Sequence, residues 1–334
     1  MKSRIMFTRI IAALILVGLI LPLNAGADDL KIGAMRLGTS WYVFGATLAK
    51  LLQEAMPAGS NVEVVARGGG VGNPLAVDMG KVNIALANVA TVVWAWNGHP
   101  IVYKGTQYRN IRSLVGNLNS VWITAMLRED YIGRTGNDSL EKALLAKKDA
   151  PRIVMKPAGS SVPVIADMIM AALGTDRKAI ESHGGKIIQV GAKQIPALIR
   201  DGRADLYFES AMKGHPATTE ASLTGNVRFM DLPENVLSQL AKEGLNPLPL
   251  PQFFKGQSGP TKAVDMGTLV IGHKDMPEDQ AYLITKTICE NKEVMAQAHK
   301  AWNNFDPALA GKPEKTGIPL HPGAEKYYKE KGWL

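Results

Sequence analysis

Residues 61–79, NVEVVARGGGVGNPLAVDM, decide the fold, because they pass from one kind of element to another through a glycine-rich turn. Residues 61–66 read as a strand and 73–79 as a short helix, with Gly68-Gly69-Gly70-Val71-Gly72-Asn73 between them. The same order recurs outward in both directions. On the N-terminal side, 30–33 is strand-like and 44–56 carries apolar residues at helical spacing until Pro57 stops it. On the C-terminal side, 82–87 is the next strand, so the first hundred residues repeat strand, loop and helix. Beyond them, strand signals at 111–115, 121–127, 152–155, 186–190 and 205–208 are separated by helical ones at 139–147, 162–173 and 192–200, with Asp201-Gly202 as a turn. Residues 246–262 are rich in proline and glycine and interrupt any regular element. After them come a strand at 265–272 and helices at 278–288 and 293–302. Alternating elements of this kind define an α/β chain.

Two long apolar strands, 121–127 and 265–271, bracket the middle of the sequence. A chain that crosses into a second domain once and returns once has this pattern. It divides into one lobe of residues 28–118 plus 268–334 and a second of residues 119–267. About 307 residues, those left after residues 1–27, suffice for one or two packed cores.

Those first 27 residues read as an export signal. Lys2, Arg4 and Arg9 flank the start of an apolar run over 10–23, and Ala25-Gly26-Ala27 presents small residues where a signal peptidase cuts. The run is shorter than the roughly 20 residues that span a bilayer, and Asp28-Asp29 follows at once. Cleavage after Ala27 and a periplasmic location are expected, with no lipobox cysteine to tether the chain. Three basic residues and no acid fall in this segment, so the net charge of +8 becomes +5 without it. The remaining charges are interspersed, with no basic stripe interleaved with aromatics, so no nucleic-acid partner is expected. The single cysteine, Cys289, lies in an apolar segment and reads as a small buried hydrophobe.

The loops carry the chemistry. Gly38-Thr39-Ser40, residues 68–73 and Ala158-Gly159-Ser160-Ser161 each precede a helix, where unpaired backbone N–H groups and the helix dipole favour an anion. Each loop taken singly reads equally well as an ordinary cap or turn. The glycine cluster lacks the Lys-Ser or Lys-Thr ending of a phosphate loop and the acid of a dinucleotide site. The six histidines, His99, His183, His215, His273, His299 and His321, show no metal-ligand pairing, and no Gly-x-Ser-x-Gly elbow occurs. No cofactor, metal or catalytic residue is therefore expected. Asp201 and Asp205 read as solvated turn and strand-end carboxylates, whereas Glu209 ends a strand at the face where a cleft should open.

Several stretches together resemble one family. Leu37-Gly38-Thr39-Ser40-Trp41-Tyr42 with Gly45, Arg67 to Asn73, and Gly80 to Ala87 are similar to the solute-binding subunits of TAXI-class TRAP transporters. So are residues 201–206, residues 282–286 and, most strongly, Ile318-Pro319-Leu320-His321-Pro322-Gly323-Ala324-Glu325-Lys326-Tyr327-Tyr328. The resemblance implies a type II periplasmic binding protein fold, with two α/β lobes joined by crossover strands and a cleft between them. It also implies a non-enzymatic role: capture of a small organic anion (a dicarboxylate, a 2-oxo acid or an amino acid such as glutamate) by a monomer. Delivery would be to the small and large TRAP membrane subunits, driven by an ion gradient. A periplasmic sensor feeding a membrane kinase, or a hydrolase using Ser160 or Ser161, are the alternatives. Carried over by position, the ligand-binding set is Ser40, Trp41, Tyr42, Arg67, Gly69, Gly70, Asn73, Asn88, Ser160, Ser161 and Glu209. Many members place a serine after the paired glycines and Gln-Ser-Asp after the third strand. Here these positions read Gly70 and Asn88-Val89-Ala90, which removes an ammonium partner and argues for a plain carboxylate.

Overall fold

The computed structural model describes residues 29–334, so the expected signal segment lies outside the described residues. The described residues form one five-stranded and one seven-stranded sheet, each flanked by helices. The first holds β1 (Asp29–Gly33), β2 (Asn61–Val65), β3 (Ile84–Ala87), β4 (Ile111–Asn119) and, from late in the chain, β12 (Thr268–His273), in the order β2-β1-β3-β12-β4. The second holds β5 (Trp122–Arg128), β6 (Arg152–Met155), β7 (Lys186–Gln189), β8 (Leu206–Ala211), β9 (Val227–Met230), β10 (Asn246–Pro247) and β11 (Val264–Asp265). The two-lobe α/β architecture is thus present.

Neither sheet is wholly parallel. β1 pairs parallel with β2 and β3, but β12 runs antiparallel between β3 and β4. β6 is parallel to β7 and β8, while β5 is antiparallel to β8, β9 and β11. The antiparallel strands are those next to the crossings, because a chain that leaves one sheet and enters the next without a helix reverses its direction relative to its neighbours.

The span expected as one strand over 265–272 is two. β11 ends at Asp265 in the second sheet and β12 starts at Thr268 in the first, with Met266-Gly267 between them. Gly267 has φ +61°, the left-handed backbone that glycine adopts without strain. Asp265 Oδ1 accepts the N–H groups of Val121 (2.7 Å) and Gly267 (2.9 Å), clasping the two crossings to each other. Met266 N–H also donates to Val121 O at 2.9 Å.

The helices that matter for the site start where strands of each sheet end. α1 (Ser40–Ala55) buries Trp41, Phe44, Leu48, Leu51 and Leu52, an i, i+3, i+4 stripe against the first sheet. α2 (Gly72–Asp78) and α3 (Val89–Asn97) follow β2 and β3. In the second lobe, Val162–Ala172 follows β6 and packs Ile165, Ala166 and Ile169 inward. The expected 293–302 helix ends at Ala298 and continues as a 3-10 turn over Lys300–Asn304. Cys289 is buried in Glu278–Glu290, and burial pushes its thiol up to about 12. His321 caps the C-terminal helix, its Nδ1 accepting the Gly323 N–H at 3.2 Å. No helix of the described residues is long and apolar enough to cross a membrane.

Candidate functional site

A narrow cavity of about 20 Å³ lies between the two sheets, where the carboxyl ends of their strands face each other. Ser40 and Trp41 reach it after β1, Gly70 after β2 and Asn88 after β3. From the other lobe come Lys156, Ser160 and Ser161 after β6, and Ser210 and His215 at the end of β8. The lobes touch around it. Gly159 O accepts the N–H groups of Val71 (3.1 Å) and Gly72 (3.2 Å), while Glu243 takes Trp94 Nε1 on its carbonyl at 2.7 Å and His99 Nε2 on its carboxylate at 2.9 Å.

The wall formed by the first lobe is neutral and rich in donors. Thr39 Oγ1 caps α1 by accepting the Tyr42 N–H at 3.3 Å and donates to Arg36 O, so its hydroxyl is occupied. The neighbouring Ser40 Oγ is buried with no protein partner. Asn88 caps α3 from a buried position and donates through Nδ2 to Gly267 O at 2.8 Å. Gly70 sits between Asn88 and Ser161, and a Cβ there would fall 2.6 Å from Asn88 Oδ1 and 3.1 Å from Ser161 Oγ. None of α1, α3 and the Val162–Ala172 helix has an acid in its first turn. Their positive ends therefore act on the pocket without an internal counterion.

The second lobe supplies a buried charged cluster. Lys156, 2% exposed, ion-pairs with Glu209 and donates to Ser210 Oγ at 3.1 Å. Glu209 is fully buried and also receives the Tyr207 hydroxyl on Oε2 and the Ser210 N–H on Oε1. Burial works to raise the Glu209 carboxyl, but the charge of Lys156 and the bonds from Lys156 and Tyr207 outweigh it and hold it low. Burial keeps the Tyr207 hydroxyl protonated, its acidity weakened further by the adjoining carboxylate. Burial likewise pushes His215 down to about 4 against the pull of Glu209, so the ring is neutral near pH 7. Its Nδ1 accepts the Thr218 N–H at 3.2 Å, which leaves the ring proton on Nε2.

The structure brings Ser40, Trp41, Gly70, Asn88, Ser160 and Ser161 together around the pocket. It separates the rest of the expected set from it. Tyr42 is half-buried on the next face of α1 and lies outside the lining, and Arg67 is exposed, as is Arg36. The positive charge comes from Lys156 instead. Asn73 is buried but spends its amide on the backbone: Oδ1 accepts the Gly69 N–H, and Nδ2 faces the carbonyls of Leu86, Ala34 and Gly33. It braces the glycine loop. Gly69 touches the opposite lobe rather than the pocket, since a Cβ there would meet Gly159 O at 2.7 Å. Glu209 lies within β8, two residues short of its end, behind Lys156 and outside the lining. Asp205, expected to be solvated, is buried and held by Arg152 and Arg134.

Sequence reasoning missed Lys156, Ser210 and His215. Lys156 had a readable signal, a lysine closing an apolar strand immediately before the Pro157-Ala158-Gly159-Ser160 turn. His215 precedes Pro216 at the first position of a helix, which marks a cap but not a pocket residue. Among the described residues no group of His, Cys, Asp or Glu is placed to hold a metal ion.

Two α/β lobes with a pocket between facing strand ends define a periplasmic-binding-protein type of fold. The chain belongs to the NMT1-like family, whose model matches residues 32–332. Among solved structures it is similar to MatC from Rhodopseudomonas palustris, recorded with bound malate, at 11% identity and a TM-score of 0.53 over 92% of this chain and 97% of that one. It is also similar to a protein of Bordetella bronchiseptica RB50, at 14% identity and a TM-score of 0.51 over 91% of this chain and 82% of that one. At such identities the likeness concerns the fold.

Proposed function

We propose that this chain is the exported solute-binding subunit of a TAXI-class TRAP transporter, which catches a small organic anion in the interlobe pocket and hands it to the small and large membrane subunits. The observation that carries this reading is the pocket itself. Lys156, the hydroxyls of Ser40, Ser160 and Ser161, the Asn88 amide and three helix N-termini converge on one cavity between the lobes, which an opening of the cleft would enlarge. The related fold of MatC, recorded with malate, supports a carboxylate as the ligand class.

In this reading residues 28–118 plus 268–334 form one lobe and residues 119–267 the other, and the empty protein favours an open cleft. A ligand that touches both walls shifts the population towards closure, because it binds the closed form better. The contacts of Gly159 with Val71 and Gly72 then form with it. The transporter recognises the closed monomer in the periplasm, after removal of residues 1–27. No bond is made or broken.

Native mass spectrometry of freshly purified protein, followed by thermal shift against mono- and dicarboxylates and amino acids, tests the ligand. A ligand at a hundredfold its Kd stabilises the folded state by about 2.7 kcal/mol. A flat response across the whole panel rejects the organic-anion reading. Uptake by vesicles holding the membrane pair, with and without this subunit, tests the partner; uptake indifferent to the subunit rejects it.

A further inference from the structure

The bonding around Lys156 bears on which anions fit. Its ammonium has three donors, and the side chain lines the pocket while contacting Glu209 and Ser210 on the inner side. The contacts leave a donor for a ligand. Glu209 is in the opposite situation. Its Oε1 accepts from Ser210 N–H at 2.6 Å, from Ser210 Oγ at 3.3 Å and from Lys156, and its Oε2 accepts the Tyr207 hydroxyl. It is absent from the residues that line the pocket.

The lining therefore contains one charged side chain, Lys156, and no carboxylate. The remaining polar groups are hydroxyls, an amide, the neutral His215 and helix N-termini, which favour negative charge. A ligand ammonium here would lose its hydration and gain no anionic partner, while lying close to a lysine.

Resting on the solute-binding reading above, we infer that Lys156 is the specificity-determining residue and that the ligand is a small carboxylate lacking an amino group, such as an oxo or hydroxy acid. Glu209 positions Lys156 and balances its charge, so that an empty closed pocket does not bury a lone cation. Amino acids of the same carbon skeleton are excluded by the absence of any free acceptor anion.

Matched pairs measured by titration calorimetry on the purified protein test this: malate with aspartate, and 2-oxoglutarate with glutamate. The amino member of whichever pair binds should be weaker by about 100-fold. Equal or tighter binding of the amino member overturns the inference but leaves the solute-binding reading intact. No binding of any member, together with a flat thermal-shift panel, removes both. Lys156→Gln alone would strand a buried carboxylate and endanger folding, so the double variant Lys156→Gln, Glu209→Gln is used with circular dichroism as a control. It should fold and bind the oxo or hydroxy acid at least about 10-fold more weakly; unchanged affinity in the folded double variant overturns the role of Lys156. Glu209→Gln alone should also weaken the oxo or hydroxy acid, because Lys156 loses the partner that positions it. If it weakens only the amino member, Glu209 receives an ammonium and the inference fails.

Discussion

Asn88 donates its side-chain amide to the carbonyl of Gly267 at 2.8 Å, joining the wall of the pocket to the point where the chain crosses back between lobes. One residue further on, Val89 N–H donates to Met266 O at 3.0 Å. The pocket wall and the crossing geometry are thus linked through one side chain. Asn88→Ala should cost about 1–3 kcal/mol by leaving the Gly267 carbonyl without its donor, and should weaken ligand binding as well. Urea unfolding and titration calorimetry measure the two effects. A variant that loses affinity at unchanged stability would separate the pocket from the crossing and refute the link.

Asn73 calls for a different outcome. Its amide serves the Gly69 N–H at 3.1 Å and the carbonyls of Leu86 at 2.7 Å and Ala34 at 3.1 Å. Asn73→Ala should lower unfolding free energy by about 3 kcal/mol, since several buried backbone groups lose their partner at once. Denaturant titration is the measurement. Full stability combined with lost binding would instead place Asn73 in the ligand shell.

Backbone meets backbone at Gly69. Its φ of +131° and the 2.7 Å gap between a Cβ and Gly159 O leave no room for a side chain when the lobes meet. Gly69→Ala should hold the lobes apart, so that small-angle scattering with saturating ligand keeps the radius of the ligand-free parent. Gly80→Ala, at φ +64° in open space, controls for backbone strain and should close normally. Closure of the Gly69 variant to the parental radius would contradict the contact.

Acid should destabilise the protein through its buried histidines. Burial lowers both His215 and His299 from 6.5 to about 4 in the folded state. The unfolded chain therefore takes up protons that the folded chain refuses once the pH falls below 6.5, and stability declines from there towards pH 4. Each histidine contributes a slope of up to about 1.4 kcal/mol per pH unit. His215→Asn retains a helix-capping oxygen and removes the titration, so its unfolding free energy should fall less steeply over that window. An identical slope would show that His215 does not carry the effect.

The alternation of strand and helix, the glycine loop at 68–73 and the pre-helix serines were legible because they follow from local preference: φ above zero for glycine, capping by Ser and Thr, and apolar periodicity. Those rules pointed to the loops that carry Ser40, Gly70, Ser160 and Ser161, and the family resemblance added Trp41 and Asn88; all six line the pocket, whereas Arg67 and Tyr42, carried over by position, lie outside its lining. The split of 265–272 into two strands was hidden because Gly267 interrupts an apolar run whose composition reads as continuous.

The sequence alone determined the element order, the positions of the loops and the two crossings, all of which depend on neighbours a few residues apart. Only the tertiary structure decided which charge stands in the pocket. Lys156 and Glu209 are 53 residues apart, and whether each is solvated, paired or facing a cleft depends on β6 lying beside β8 in one sheet. Burial makes their charges matter, and burial is a property of packing between distant segments.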